Sequence, residues 1–168
     1  PHTTPDTLVE EAERKRMNPR MLCEFVDGSK TMIEMSALSN VTGLPLTRRA
    51  MIGPESSVKT LHETYRPIAE GGVLTETGVV DYCTGDVAPG VFVVVKTDKE
   101  YVNHELWYLG NGEGPYFTFY RPYHLASIEA PLTIGEILID GRATFAARER
   151  HAEVVAMTKR DHKAGEVF

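Results

Sequence analysis

The β-forming runs of this chain fall together, and their placement limits the fold more than any other feature. Gly78 to Tyr82, Val91 to Lys96 and Tyr116 to Tyr120 are β-branched or aromatic runs bounded by Gly, Pro and Asp, the pattern of strands. All three follow the breaker pair Gly71-Gly72. Strands gathered in one half, with helical patterns mostly in the other, predict an α+β fold and not a doubly wound sheet. The expected sheet is mixed or antiparallel, with helices on one side.

The helical signals are local. Thr4-Pro5-Asp6-Thr7 predicts a helix start, with a capping hydroxyl, Pro at the first position and an acid at the positive end of the dipole. That helix runs through Leu8, Val9 and Ala12 and stops before Asn18-Pro19, because the residue before Pro avoids the α region. Its thin apolar face places it on the surface. Met21 to Val26 predicts a short strand, broken by Asp27-Gly28. Ser29 to Val41 predicts a buried helix, since Met32, Ile33, Met35, Ala37, Leu38 and Val41 wrap most of its wheel. Thr47 to Val58 reads as an exposed loop, Val58 to Ile68 as a short helix, Pro131 to Ile139 as another helix, and Glu153 to Met157 as a final strand. The chain shows no internal repeat.

Composition narrows the class. The 168 residues, 42% hydrophobic and 25% charged, suit one domain with a real core. A net charge of -6 and a pI near 5.5 leave no broad basic field for nucleic acid. No apolar run approaches the roughly 18 residues of a membrane span, and the start has no secretory pattern. Cys23 and Cys83 lack metal or redox spacing and read as reduced, buried thiols of a cytoplasmic protein.

Two stretches could carry chemistry. In the first, Glu24 to Met35, the charged residues Asp27, Lys30 and Glu34 stand at the start of the helix predicted from Ser29. Lys30 and Glu34 fall one turn apart on the side of Ala37, Leu38 and Val41, and charges on an apolar face must be paired or used. Beside Asp27 or Glu34 the amine could donate a proton or hold an oxygen that gains charge. The plainer alternative is an N-cap at Asp27 and a surface ion pair. In the second, Tyr116 to His124, Pro122 keeps Arg121 extended, so Tyr120, Arg121 and His124 offer a phenol, a guanidinium and an imidazole. Arg grips carboxylate or phosphate in bidentate fashion; the alternative is a core strand whose Arg121 pairs with a structural acid.

Weaker candidates are His62, His104 and His151, which lack partners at ligand spacing, and Arg48-Arg49 in the loop. Gly110-Asn111-Gly112-Glu113-Gly114 reads as a hairpin turn, because Pro115 and an aromatic strand follow where a dinucleotide fingerprint needs a helix.

The runs CEFVDGSKTMIEMSALSNVTGL, GGVLTETGVVDYCTGDVAPGVFVVV and GPYFTFYRPYHL resemble the middle region of homoserine-dehydrogenase-like oxidoreductases, including the deoxyxylulose-phosphate-reductoisomerase-like enzymes. The ending EVVAMTKRDHKAGEVF resembles the start of a SAF domain. The resemblance implies a catalytic and oligomerisation domain over 1-150, the beginning of a small SAF-like β module over 151-168, and a Rossmann domain for NADP outside this chain. It implies hydride transfer to or from a small hydroxy or keto substrate, coupled in some members to an isomerisation that uses a divalent metal, and a homo-oligomer. Lys30 becomes the proton donor, Asp27 and Glu34 orienting groups or cation ligands, and Tyr120, Arg121 and His124 the substrate anchor. The chain departs from homoserine dehydrogenases in lacking their substrate-loop pattern. The competing expectation is a non-catalytic carbohydrate- or anion-binding module, or an oligomerisation piece.

Overall fold

The computed structural model describes residues 2-123 and 126-167. A 3-10 turn, Pro5–Leu8, opens the chain. The Thr7 hydroxyl closes it by accepting from the Thr4 N–H at 3.2 Å and donating to the Thr4 carbonyl at 2.8 Å. Helix α1, Val9–Lys15, follows and ends at Arg16, which takes the left-handed conformation. Helix α2, Pro19–Val26, occupies the segment expected as a strand. The Asn18 side chain caps it by accepting from the Arg20 N–H at 2.9 Å, and Pro19 takes the first helical position that tolerates it. Asn18-Pro19 therefore stops one helix and starts the next. Leu8, Ala12, Leu22 and Cys23 form a small core here, with Met17 against it.

Gly28, at φ +89°, turns the chain from α2 into helix α3, Ser29–Thr42. The helix lies where it is expected, but it is half-buried, not buried. Only Ser36 and Ser39 are buried, and Ile33 is 58% exposed. Its apolar residues point in several directions, so packing on α2 can cover only part of them. The far end is strapped by the C-terminal segment: Asn40 donates to the Ala152 carbonyl at 3.0 Å and accepts from the N–H groups of His151 and Ala152 at 2.7 and 3.0 Å.

A second, larger core gathers Leu61, Tyr65, Leu74 and Val87, with Ile52, Val58, Phe92 and Val94 packed around them. Helix α4, Leu61–Thr64, sits on strands β1, β3 and β4. Strand β1, Glu55–Ser57, pairs in parallel with β2, Thr84–Asp86. Strand β3, Val91–Lys96, pairs antiparallel with β4, Tyr116–Arg121, in a register that sets Val91 opposite Arg121 and Lys96 opposite Tyr116. The fold class is α+β, with two two-stranded sheets among the described residues, one parallel and one antiparallel. The expected strand over Gly78 to Tyr82 reduces to a bridge between Val80 and Leu46.

Between β3 and β4 runs helix α5, Glu100–Tyr108, which the sequence reading did not anticipate. Gly110 to Gly114 therefore returns the chain from α5 to β4 and is not a tight hairpin turn. Helix α6, Ala126–Gly135, continues as a π-helical turn, Glu136–Asp140. The helix expected from Pro131 thus begins earlier, with Pro131 inside it. Glu153 to Met157 forms no strand; Val155 and Met157 are exposed, and no strand among the described residues pairs with them. The chain exposes 12502 Å², against roughly 8,300 Å² for a compact monomer of this mass. Two small cores and a long C-terminal segment account for that excess.

Candidate functional site

The junction at Asp27 is built, and its lysine is not the one expected. Asp27 ends α2, and its Oδ1 accepts from the Ser29 N–H at 2.8 Å, which fixes the first turn of α3. Its Oδ2 receives the Lys159 ammonium at 2.6 Å. Only 6% of the Asp27 side chain is exposed. Burial pushes the pKa of this carboxyl up, but the bonds from Lys159 and Ser29 outweigh it and hold the pKa at about 2. The Lys159 pKa is raised in turn, chiefly by its bond to Asp27. Lys159 also reaches the Thr3 carbonyl at 2.5 Å and the Cys23 sulfur at 3.3 Å.

Lys30 lies on the outside of the same junction. Its side chain is 49% exposed, with Nζ 3.5 Å from a Glu34 oxygen and 5.0 Å from the centre of the Phe25 ring. Lys30 and Glu34 therefore meet one turn apart, whereas Asp27 turns inward to Lys159.

The other expected cluster sits on β4. Arg121 pairs with Glu129 of α6, and its guanidinium stacks 4.5 Å from the centre of the Tyr123 ring. The Tyr120 hydroxyl faces the Val87 and Pro89 carbonyls at 2.9 and 3.1 Å, which ties β4 to the chain entering β3. This contact needs Gly90, where a Cβ would stand 2.5 Å from the Tyr120 ring. His124 lies outside the described residues. α3 packs on α2 and β4 packs on α4 and β3, so Lys30 and Arg121 stand on differently packed elements. A surface depression of about 400 Å³ is lined by Pro5, Asp6, Val9, Asn18, Pro19 and Arg20; it holds neither Lys30 nor Arg121.

The lone candidates are local. His62 stands 3.9 Å from Glu63, His104 lies against the Trp107 ring, and His151 pairs with Glu149 at 2.9 Å. Arg48 donates to the Met51 carbonyl at 2.9 Å and Arg49 is exposed. Sequence reasoning missed Asp81, which organises the loop over 47-58. Its carboxylate accepts from the Thr47 hydroxyl at 2.6 Å and the N–H groups of Ile52 and Gly53 at 3.0 and 2.9 Å. That loop is not wholly exposed, since Met51 is buried.

Among the described residues no three His, Cys, Asp or Glu side chains converge as a metal site. Nor do they build a strand-turn-helix cradle for a dinucleotide: the glycines at 110, 112 and 114 lead from α5 into β4. The described residues thus fit neither a metal nor NADP by themselves. No described helix is long and apolar enough to cross a membrane.

The class of this chain follows from its family, and it is that of an oxidoreductase catalytic domain. Residues 1–130 match the family described as oxidoreductase DRL, catalytic domain, and the chain belongs to that family. No curated protein matches the sequence.

Proposed function

We propose that this chain is the substrate side of an NADP-dependent oxidoreductase of the homoserine-dehydrogenase-like or reductoisomerase-like kind, acting on a small hydroxy or keto compound. The reading is supported by membership of an oxidoreductase catalytic family and carried by one observation: a half-exposed amine in the first turn of α3, held by Glu34 and the Phe25 ring. When a carbonyl is reduced its oxygen gains negative charge, and an ammonium beside it stabilises that charge and supplies the proton. Lys30 is that donor. Glu34 sets its direction, and Asp27 fixes the turn on which it stands through the Ser29 N–H.

A bound NADP would supply the reducing equivalent; none of the described residues is assigned to hold it, and no step is assigned to a metal. Arg121 is the anchor for a carboxylate or phosphate on the substrate; to act so it exchanges Glu129 for the ligand. Tyr120 serves this anchor by bracing β4, since its hydroxyl is turned onto backbone carbonyls, and His124 completes the set. Residues 151-168 open a SAF-type module, and the working assembly is a homo-oligomer in the cytoplasm.

The test is turnover of the complete enzyme with Lys30→Ala and with Glu34→Gln. Loss of a general acid lowers kcat by a factor of roughly 10² or more, with a smaller effect for Glu34→Gln. Normal turnover of Lys30→Ala refutes the donor role. If Arg121→Ala alone weakens ligand binding while Lys30→Ala is neutral and no turnover is found, a non-catalytic binding module is the better reading.

A further inference from the structure

The proposed reaction leaves one reactive pair unused. The Cys23 sulfur and the Lys159 amine stand 3.3 Å apart, on segments separated by 136 residues of chain. Both face the same backbone acceptor: the Thr3 carbonyl lies 3.3 Å from the sulfur and 2.5 Å from the nitrogen. Asp27 holds the nitrogen from a further side at 2.6 Å, and its Oδ2 is also 3.9 Å from the sulfur. Two reacting atoms fixed at about 3–3.5 Å are in a near-attack arrangement. Cys23 is 3% exposed, whereas the Lys159 side chain is 35% exposed, so the pair borders solvent on the lysine's flank.

From this geometry we infer that Cys23 and Lys159 form a peroxide-driven, reversible sulfur–nitrogen cross-link that fastens the C-terminal segment to the N-terminal helices. Hydrogen peroxide transfers one oxygen to the Cys23 thiol, giving a sulfenic acid and one water. A sulfenic sulfur condenses readily with a nearby nitrogen or thiol. The Lys159 ammonium releases one proton to solvent on its exposed flank, which frees its lone pair. Nitrogen attacks sulfur, the S–O bond breaks, and the departing hydroxide takes a second proton from nitrogen to leave as water. The sulfur has lost two electrons and the peroxide has gained them; the product is a sulfenamide, two waters and one released proton.

The role of each neighbour follows from its position. Asp27 holds the amine in place beside the sulfur, and the Thr3 carbonyl lies against both atoms. Cys83 is the internal comparison, since its sulfur faces the carbonyls of Pro54 and Thr84 at 3.4 and 3.2 Å. It is expected to give the open sulfenic and sulfinic products.

The experiment treats this chain with hydrogen peroxide, adds dimedone to trap free sulfenic acid, and maps peptides by mass without reductant. The expected result is a Cys23 peptide joined to a Lys159 peptide, two hydrogens lighter than their sum and separated again by a thiol reductant. Lys159→Arg keeps the charge opposite Asp27 but removes the amine; there the linked peptide disappears and Cys23 carries dimedone. The wild-type chain decides the matter even where the variant folds poorly. Recovery of wild-type Cys23 as free thiol, dimedone adduct or sulfinic acid overturns the inference. A cross-link that retains the oxygen, or one to a different lysine, overturns it as well.

Discussion

Lys159 and Asp27, 132 residues apart, meet at 2.6 Å and close the chain on itself. The carboxylate is almost wholly covered while its lysine is about one third exposed. A bond of this kind is strong because one partner has lost its water, and fragile because removing the other leaves a buried charge. It also joins the least regular part of the molecule to the turn that carries Lys30.

The pH dependence follows from Asp27. Its pKa is about 2 in the folded chain against an ordinary 3.8. A depressed carboxylate stabilises the fold above its unfolded value, and that stability disappears as pH falls through the folded value. The window is therefore from about pH 4 down to about pH 2. Asp27→Asn should lose roughly 2 kcal/mol at pH 7, less whatever the exposed flank of Lys159 lets solvent screen. Urea titrations of both proteins at pH 7 and near pH 2 should diverge at the first and converge at the second. An equal gap at both would assign the loss to something other than the charge.

Asn40 should act as a hinge pin for the segment over 148-152. Its side chain makes three bonds to His151 and Ala152, and its backbone carbonyl accepts from the N–H groups of Arg148 and Glu149 at 2.8 and 3.2 Å. Asn40→Ala removes the side-chain bonds only, at a cost of about 1–3 kcal/mol to that local contact. Hydrogen exchange should quicken at the amides of His151 and Ala152 and stay slow at Tyr65 and Leu74 in the other core, whose N–H groups are bonded to the Leu61 and Arg66 carbonyls. Unchanged protection at 151 and 152 would contradict the strap.

Much of this architecture could be read from residue order, and the misreadings share a cause. Val91 to Lys96 and Tyr116 to Arg121 were legible because β-branched and aromatic residues recur between breakers, and the two runs then found each other. Met21 to Val26 was not, since a short apolar run suits a strand or a helix turn, and the Asn18 cap and the packing of Leu22 and Cys23 decided it. Glu100 to Tyr108 hid its helix because Tyr101, Trp107 and Tyr108 are exposed and mark no apolar stripe. Lys30 and Glu34 were paired correctly from a one-turn spacing. Lys159 was invisible, because no local pattern encodes a contact between an end segment and the close of α2.

Gly72 tests the turn that closes α4 against the chain before β2. A Cβ at this position would lie 2.2 Å from the Arg66 carbonyl oxygen and 2.6 Å from its nitrogen, both backbone atoms that cannot swing aside. The Gly72→Ala variant should lose roughly 1–3 kcal/mol or more, visible as a lower Tm. Gly71→Ala beside it is strained by its φ of +88° but meets nothing within 4 Å, so its effect should be smaller. The reverse order would place the constraint in dihedral strain and not in crowding.

Two phenylalanines of β4 give the sharpest contrast on that strand. Phe117 is fully buried at 0% exposure, while Phe119, two residues on, is 46% exposed. Two residues on a regular strand share a face, so the cover ends between them; the Cβ expected at Gly114 would touch the Phe117 ring at 2.7 Å, which shows how tightly the first end of β4 is closed. Truncating a buried Phe costs about 3–5 kcal/mol, whereas a half-exposed one loses only part of its transfer energy, roughly 1 kcal/mol. Thermal melts of Phe117→Ala and Phe119→Ala should therefore separate widely, with the first near the limit of folding. Equal destabilisation would mean that the outer half of β4 is covered in solution by a surface outside the described chain.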